Sequence, residues 1–133
     1  MKQNRTSPMI TARNYIFGKL EIYPNYVIAI MKEGVTVKPE YNKDLVSLAN
    51  QYFKNRPFGY ITHRINSYSV DPSTYIETSK IDNLVAFAVV SNNSINLTNT
   101  ELERIFLKKP LDHFEELDEA IDWVNDVVAN VSI

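Results

Sequence analysis

Between Thr62 and Asp71 the chain gathers Thr62, His63, Arg64, Asn66, Ser67, Tyr68, Ser69 and Asp71, a dense run of hydrogen-bonding side chains. His63 brings an imidazole, the usual proton shuttle of catalysis. Arg64 brings a planar fork that matches a carboxylate or phosphate, although a surface ion pair with an acidic neighbour is its plainer use. A Ser–His–Asp set can be written from Ser67 or Ser69, His63 and Asp71. No Gly-x-Ser-x-Gly turn presents either serine, and Asp71 stands directly before Pro72, where its carboxylate caps a helix. We therefore expect no catalytic residue and no enzyme. The loop serves one of two ends. It is a recognition site at the carboxyl end of a strand, where open α/β sheets bind ligands, or a connection whose polar groups are used in capping the next helix.

Metal and cofactor chemistry find little support. His63 and His113 are the only histidines, and neither has a second ligand at helical spacing. Glu115–Asp122 is acidic but lacks the loop spacing and glycine of a calcium-binding EF-hand. The chain has no cysteine, which excludes disulfides and zinc–thiolate sites and fits a reducing compartment. Gly18, Gly34 and Gly59 are isolated, so no phosphate-cradling loop is present. No metal and no cofactor is expected. Tyr60, Tyr68 and Tyr75 suit either an interface or a half-buried core.

The elements that must position the loop follow from periodicity. Residues 1–12 are polar, carry Ser7-Pro8 and read as a flexible arm, with one domain over 13–133. Tyr15–Tyr23 and Tyr26–Met31 read as strands joined at Pro24-Asn25 into an antiparallel hairpin. Tyr41, Leu45, Leu48, Ala49, Tyr52 and Phe53 recur at helical spacing behind Pro39. That helix should end near Asn55, ahead of Pro57. Phe58–Ile65 is a strand whose alternation sets His63 with Ile61 and Ile65, half-buried, and Arg64 with Tyr60 and Thr62. Asp71-Pro72 starts a short helix to about Lys80. Leu84–Val90 is apolar without alternation, as in a strand covered on both faces. Thr98 and Glu101 form a capping box before Leu102, Ile105 and Phe106. Leu111–Phe114 reads as an edge strand, and Leu117, Ala120, Ile121, Val124, Val127 and Val128 form one stripe of a last helix. Trp123 lies just off that stripe, suited to the sheet rim or a contact surface. The expected fold is α/β, an N-terminal β-hairpin leading into a mostly parallel four- to five-stranded sheet with helices packed against it.

Composition sets the outer limits. At 133 residues the chain can bury one sizeable core, and 44% hydrophobic against 23% charged residues is ordinary for a globular protein. Fourteen basic against 16 acidic side chains leave a net charge of −2, which offers no basic field for nucleic acid. Met1–Arg13 lacks the apolar run of a secretory signal, and no stretch approaches the roughly 20 apolar residues of a membrane span. A cytoplasmic location is expected.

The element order, together with the ending Phe114-Glu-Glu-Leu-Asp-Glu-Ala-Ile-Asp-Trp123-Val124, resembles the SpoIIAA-like branch of the STAS (sulfate transporter and anti-sigma-factor antagonist) superfamily. Members of that branch often close with a strand, an acidic stretch, an alanine and a Trp-hydrophobic pair, here Leu111–Phe114, Glu115–Glu119, Ala120 and Trp123-Val124. The blocks Phe58–Pro72 and Asn83–Val90 are similar to uncharacterised bacterial members. The resemblance implies protein interaction or small-ligand binding more often than catalysis. Regulatory members carry a phosphorylatable serine in an Asp-Ser-Ser/Thr-Gly-like motif after the third strand. This chain has Asn66–Pro72 there without a glycine, and Ser67 and Ser69 are the nearest candidates for phosphorylation. The implied function is a non-catalytic regulatory or interaction module that presents loop 62–71 to a protein partner or to a second copy of the chain. The alternative is a domain binding a lipid or an anionic metabolite, which requires a cavity between sheet and helix or a cleft near Arg64.

Overall fold

The uninterrupted apolar run Leu84–Val90 forms the strand with both faces covered, six of its seven residues being buried. It lies in a six-stranded sheet in a computed structural model that describes residues 8–91 and 103–131. The strands are β1 (Thr11–Tyr15), β2 (Gly18–Ile22), β3 (Tyr26–Met31), β5 (Phe58–His63), β7 (Leu84–Val90) and β8 (Leu111–Phe114), in the order β1-β2-β3-β5-β7-β8. β1, β2 and β3 pair antiparallel, whereas β3, β5, β7 and β8 run parallel.

Six strands replace the four or five expected, and the start of the sheet is antiparallel. The apolar stretch read as one strand from Tyr15 to Tyr23 is broken at Ile16-Phe17. Gly18 pairs back with Tyr15 at a φ of +151°, where a Cβ would strike the backbone of Ile30 and Met31. Ile16 at the tip is 77% exposed, while Phe17 turns inward. β1 consequently begins at Thr11, so Thr11 and Ala12, read as the end of a loose arm, lie within the sheet. The hairpin at Pro24-Asn25 forms with Ile22 opposite Val27.

Among the described residues two helices cover one face. α1 (Asn42–Tyr52) follows a 3₁₀ turn over Pro39–Tyr41, and α2 (Ser73–Thr78) follows Pro72. Leu45, Leu48, Ala49 and Tyr75 from these helices pack on Leu20, Tyr60, Phe87 and Val89. The opposite face is covered by α3 (Leu117–Asn130), whose Ala120, Ile121, Val124 and Val128 meet Ile61, Ala86, Ala88 and Val90. Trp123 packs on Phe114 at the rim, with ring centroids 5.6 Å apart.

The capping box at Thr98 and Glu101 lies outside the described residues. The helical residues 103–106 bury Glu103, while Ile105 and Phe106, the apolar residues that follow the capping box in the sequence, are exposed. A small parallel pair, β4 (Thr36–Val37) with β6 (Ser69–Val70), has no counterpart in the sequence reading. It ties the segment after β3 to the loop after β5.

Candidate binding site

Strand alternation sorts the residues of β5. Tyr60 and Phe58 belong to the core under α1 and α2, and Ile61 to the core under α3. Thr62 and Arg64 therefore follow Tyr60 toward α1 and α2, while His63 turns the other way and is half-buried. Gly34 N donates to Ser67 O (2.6 Å), Ser69 N to Val35 O (3.0 Å) and Asp71 N to Val37 O (2.9 Å). These bonds, continuous with the β4–β6 pair, fold the loop back so that Tyr68 returns over the end of β5.

The result is a polar cluster at the carboxyl end of β5. Tyr68 Oη accepts from Arg64 Nε at 3.0 Å and lies 2.7 Å from Thr62 Oγ1. The Arg64 guanidinium also stands over the Tyr68 ring, 5.6 Å from its centroid. Arg64 Nη2 donates to Glu103 Oε2, which also accepts from Tyr75 Oη. Side-chain exposure is 6% for Arg64 and 4% for Glu103, so the ion pair is buried, in place of the surface pair considered from sequence. Burial opposes the charge of Arg64, but Tyr68, Glu103 and Tyr75 outweigh it and hold its pKa above the ordinary value. Burial, with the Glu103 charge next, pushes the Tyr75 hydroxyl well up, so it remains a donor.

Beside this cluster lies a cavity of about 50 Å³ between the sheet and the two helices. Its polar lining includes Tyr60, Thr62, Arg64 and Tyr68 on the sheet side and Asn42, Thr74, Tyr75 and Thr78 on the helix side; its apolar lining includes Leu20, Met31, Leu45 and Phe87. Asn42 at the start of α1 donates to Thr74 O (3.2 Å) and accepts from Thr78 Oγ1 (2.9 Å), which ties the two helices together at its edge.

Of the eight residues singled out from sequence, Thr62, Arg64 and Tyr68 line this cavity. The others have different posts. His63 is on the far face of the sheet. Asn66 Nδ2 donates to Met31 O at 2.9 Å, and the Ser67 amide donates to Glu33 Oε1 at 3.0 Å. Ser67 and Ser69 are exposed, and Ser69 sits in β6. Asp71 Oδ1 accepts from the amide of Ser73 (3.0 Å) and from its hydroxyl (2.8 Å). Asp71 is thus a cap for α2, and the Ser–His–Asp set is not assembled.

The cap gives a pH prediction. The hydroxyl of Ser73, then its amide, lowers the Asp71 pKa below the ordinary carboxylate value. A depressed folded-state pKa contributes stability above the unfolded pKa and loses it as pH falls through the folded one. Asp71→Ala is expected to melt below the native chain at neutral pH. The difference should shrink in the acid range below the ordinary carboxylate pKa, as read by melting curves over pH. A constant difference across that range would remove the role given to the carboxylate.

Sequence reasoning missed Glu103 as a site residue and noted Tyr60 and Tyr75 only as aromatics. Tyr60 had a signal, its place two residues before Thr62 on the same strand face. Glu103 had none, because its partner Arg64 lies 39 positions away. Among the described residues no group of three or more acidic or histidine side chains is placed to hold a metal ion. No helix among them is long and apolar enough to cross a membrane.

No protein-family model matches the chain, and no curated protein matches it in sequence. Among solved structures it is similar to an uncharacterized protein of the DUF3478 family with a SpoIIAA-like fold, from Shewanella loihica PV-4. The two share 12% sequence identity, the similarity covering 88% of this chain and 92% of that one with a TM-score of 0.49. Likeness at that level says nothing of a ligand or a partner.

Proposed function

We propose that this chain is a non-catalytic binding module that holds a small ligand in the cavity between the sheet and α1 and α2. The observation that supports it is the cavity itself, whose lining combines apolar side chains from the sheet and α1 with hydroxyls and a guanidinium. Apolar walls with a few convergent polar groups are the usual make-up of a small-molecule site. The location at the carboxyl ends of parallel strands is where α/β sheets place such sites.

A ligand that binds only the folded state raises the melting temperature. Ligands found by a thermal-shift panel should lose their effect in Leu45→Phe, which extends a buried wall residue of α1 into the cavity. A shift that persists in Leu45→Phe would move the site elsewhere, for instance to the groove between α1 and α2 lined by Lys43, Ser47, Glu77 and Lys80.

A second reading keeps the loop as a contact for a protein partner. It draws support from Ile65, 63% exposed at the loop crest and followed by the exposed Ser67 and Ser69. Ile65→Asp would abolish partner capture on this reading and leave ligand-induced stabilisation unchanged.

A further inference from the structure

At the polar end of the cavity the Arg64 and Glu103 charges are paired. Glu103 Oε1 is buried without a partner among the described residues, but Glu103 does not line the cavity, whose lining hydroxyls offer unused donors. Arg64 is already held by Glu103, and both side chains are buried. An anionic guest would bring an uncompensated negative charge into a buried neutral pair, which is strongly disfavoured. The hydroxyls have the opposite bias. Tyr68 Oη accepts from Arg64 Nε and shares one hydrogen bond with Thr62 Oγ1. Two hydroxyls carry two hydrogens, and the bond between them uses one, so one is left to donate.

Tyr60 supplies another. It lines the cavity at 8% exposure, and its hydroxyl makes no hydrogen bond with the described residues. It stands two residues before Thr62 on the same face of β5, and both line the cavity with Arg64 and Tyr68. Burial first, then Tyr68, keeps the Tyr60 hydroxyl protonated by raising its pKa well above the ordinary value. With no partner among the described residues, this hydroxyl is free to donate to a guest in the cavity.

On the cavity reading proposed above, we infer that the site takes a small uncharged molecule through an oxygen acceptor, such as a carbonyl, and rejects the matching anion. The acceptor sits against the Tyr60 hydroxyl and the spare hydrogen of the Thr62–Tyr68 pair, with the apolar body toward Leu45 and Met31. Size limits the guest as well. The volume of about 50 Å³ exceeds the roughly 10–15 Å³ that one water needs and suits only a small guest.

Acetone and acetate are matched in heavy atoms and differ in charge, and xenon probes the cavity without a polar head. Each would be titrated into the native chain and into Tyr60→Phe, following amide and methyl resonances that include Met31 and Leu45. Xenon and acetone should shift these resonances in the native chain, and acetate should not. Tyr60→Phe should keep the xenon response, which also reports its folding, and weaken acetone about tenfold. Acetate binding as well as acetone in the native chain overturns the neutral-ligand inference without any variant. So does acetone binding unchanged in Tyr60→Phe, or xenon binding without acetone. In those three cases the cavity remains a site of another class. Failure of both xenon and acetone in the native chain overturns the inference and the cavity reading together.

Discussion

Glu103→Ala is expected to cost about 3–5 kcal/mol of stability, because it leaves the Arg64 guanidinium buried and uncompensated. The loss also takes away the acceptor of the Tyr75 hydroxyl, adding a second buried donor without a partner. For a chain with a typical margin of ~5–15 kcal/mol, that is a large fraction of the whole. Urea unfolding should show a lower midpoint at an unchanged slope, since the native surface is preserved. The joint replacement Arg64→Met with Glu103→Leu should regain most of the loss, because apolar residues of similar volume need no partner. The pair of results separates two contributions that a single variant confounds, the worth of the ion pair and the penalty of orphaning one half. A Glu103→Ala cost below ~1 kcal/mol is the figure for an exposed pair and would place both side chains in water.

Gly59→Ala is expected to be the other severe change. A Cβ at this position in β5 would overlap Val124 Cγ1, and Val124 in α3 is fully buried. Neither a strand bonded on both sides nor a helix packed along its whole stripe can yield freely, so overpacking of this kind costs about 1–3 kcal/mol. Val124→Ala removes the obstructing methyls at its own cost, that of lost burial. The informative quantity is the double variant. Gly59→Ala combined with Val124→Ala should be more stable than the sum of the single losses by at least ~1 kcal/mol. Simple additivity in that cycle would mean that α3 is free to move off the sheet at Gly59.

Much of this arrangement was legible where a period was long enough to read. The alternation Tyr60, Thr62, Arg64 against Ile61, His63 sorted the faces of β5. The unbroken apolar run 84–90 announced a doubly covered strand, and the stripe through Val124 announced α3. The cap at Asp71 was equally plain, because it depends on neighbours in sequence. Other features have no local signature. β4 and β6 contribute two residues each, too few for any period, and they exist through pairing across more than thirty residues. The break at Ile16-Phe17 is hidden because both residues favour strands, and the deciding fact is the turn that Gly18 permits. Glu103 looks like any solvated acid on a helix until the end of β5 is brought against it. The candidate site was therefore half legible. The strand supplied Thr62 and Arg64, but the residue that neutralises Arg64 comes from a different part of the chain.

The coverage of the sheet also has a consequence for synthesis. One face of β5 and β7 is covered by α1 and α2, which lie close in sequence to the strands they cover. The other face, with Ile61, Ala86, Ala88 and Val90, waits for α3, which follows the last strand. While the chain grows on the ribosome, at about 5–20 residues per second, that apolar surface is synthesised seconds before its cover. The interval is a window for chaperone capture or for clustering between nascent neighbours. A chain interrupted before Val124 would carry the same surface permanently, and quality control would meet it as an aggregation-prone intermediate.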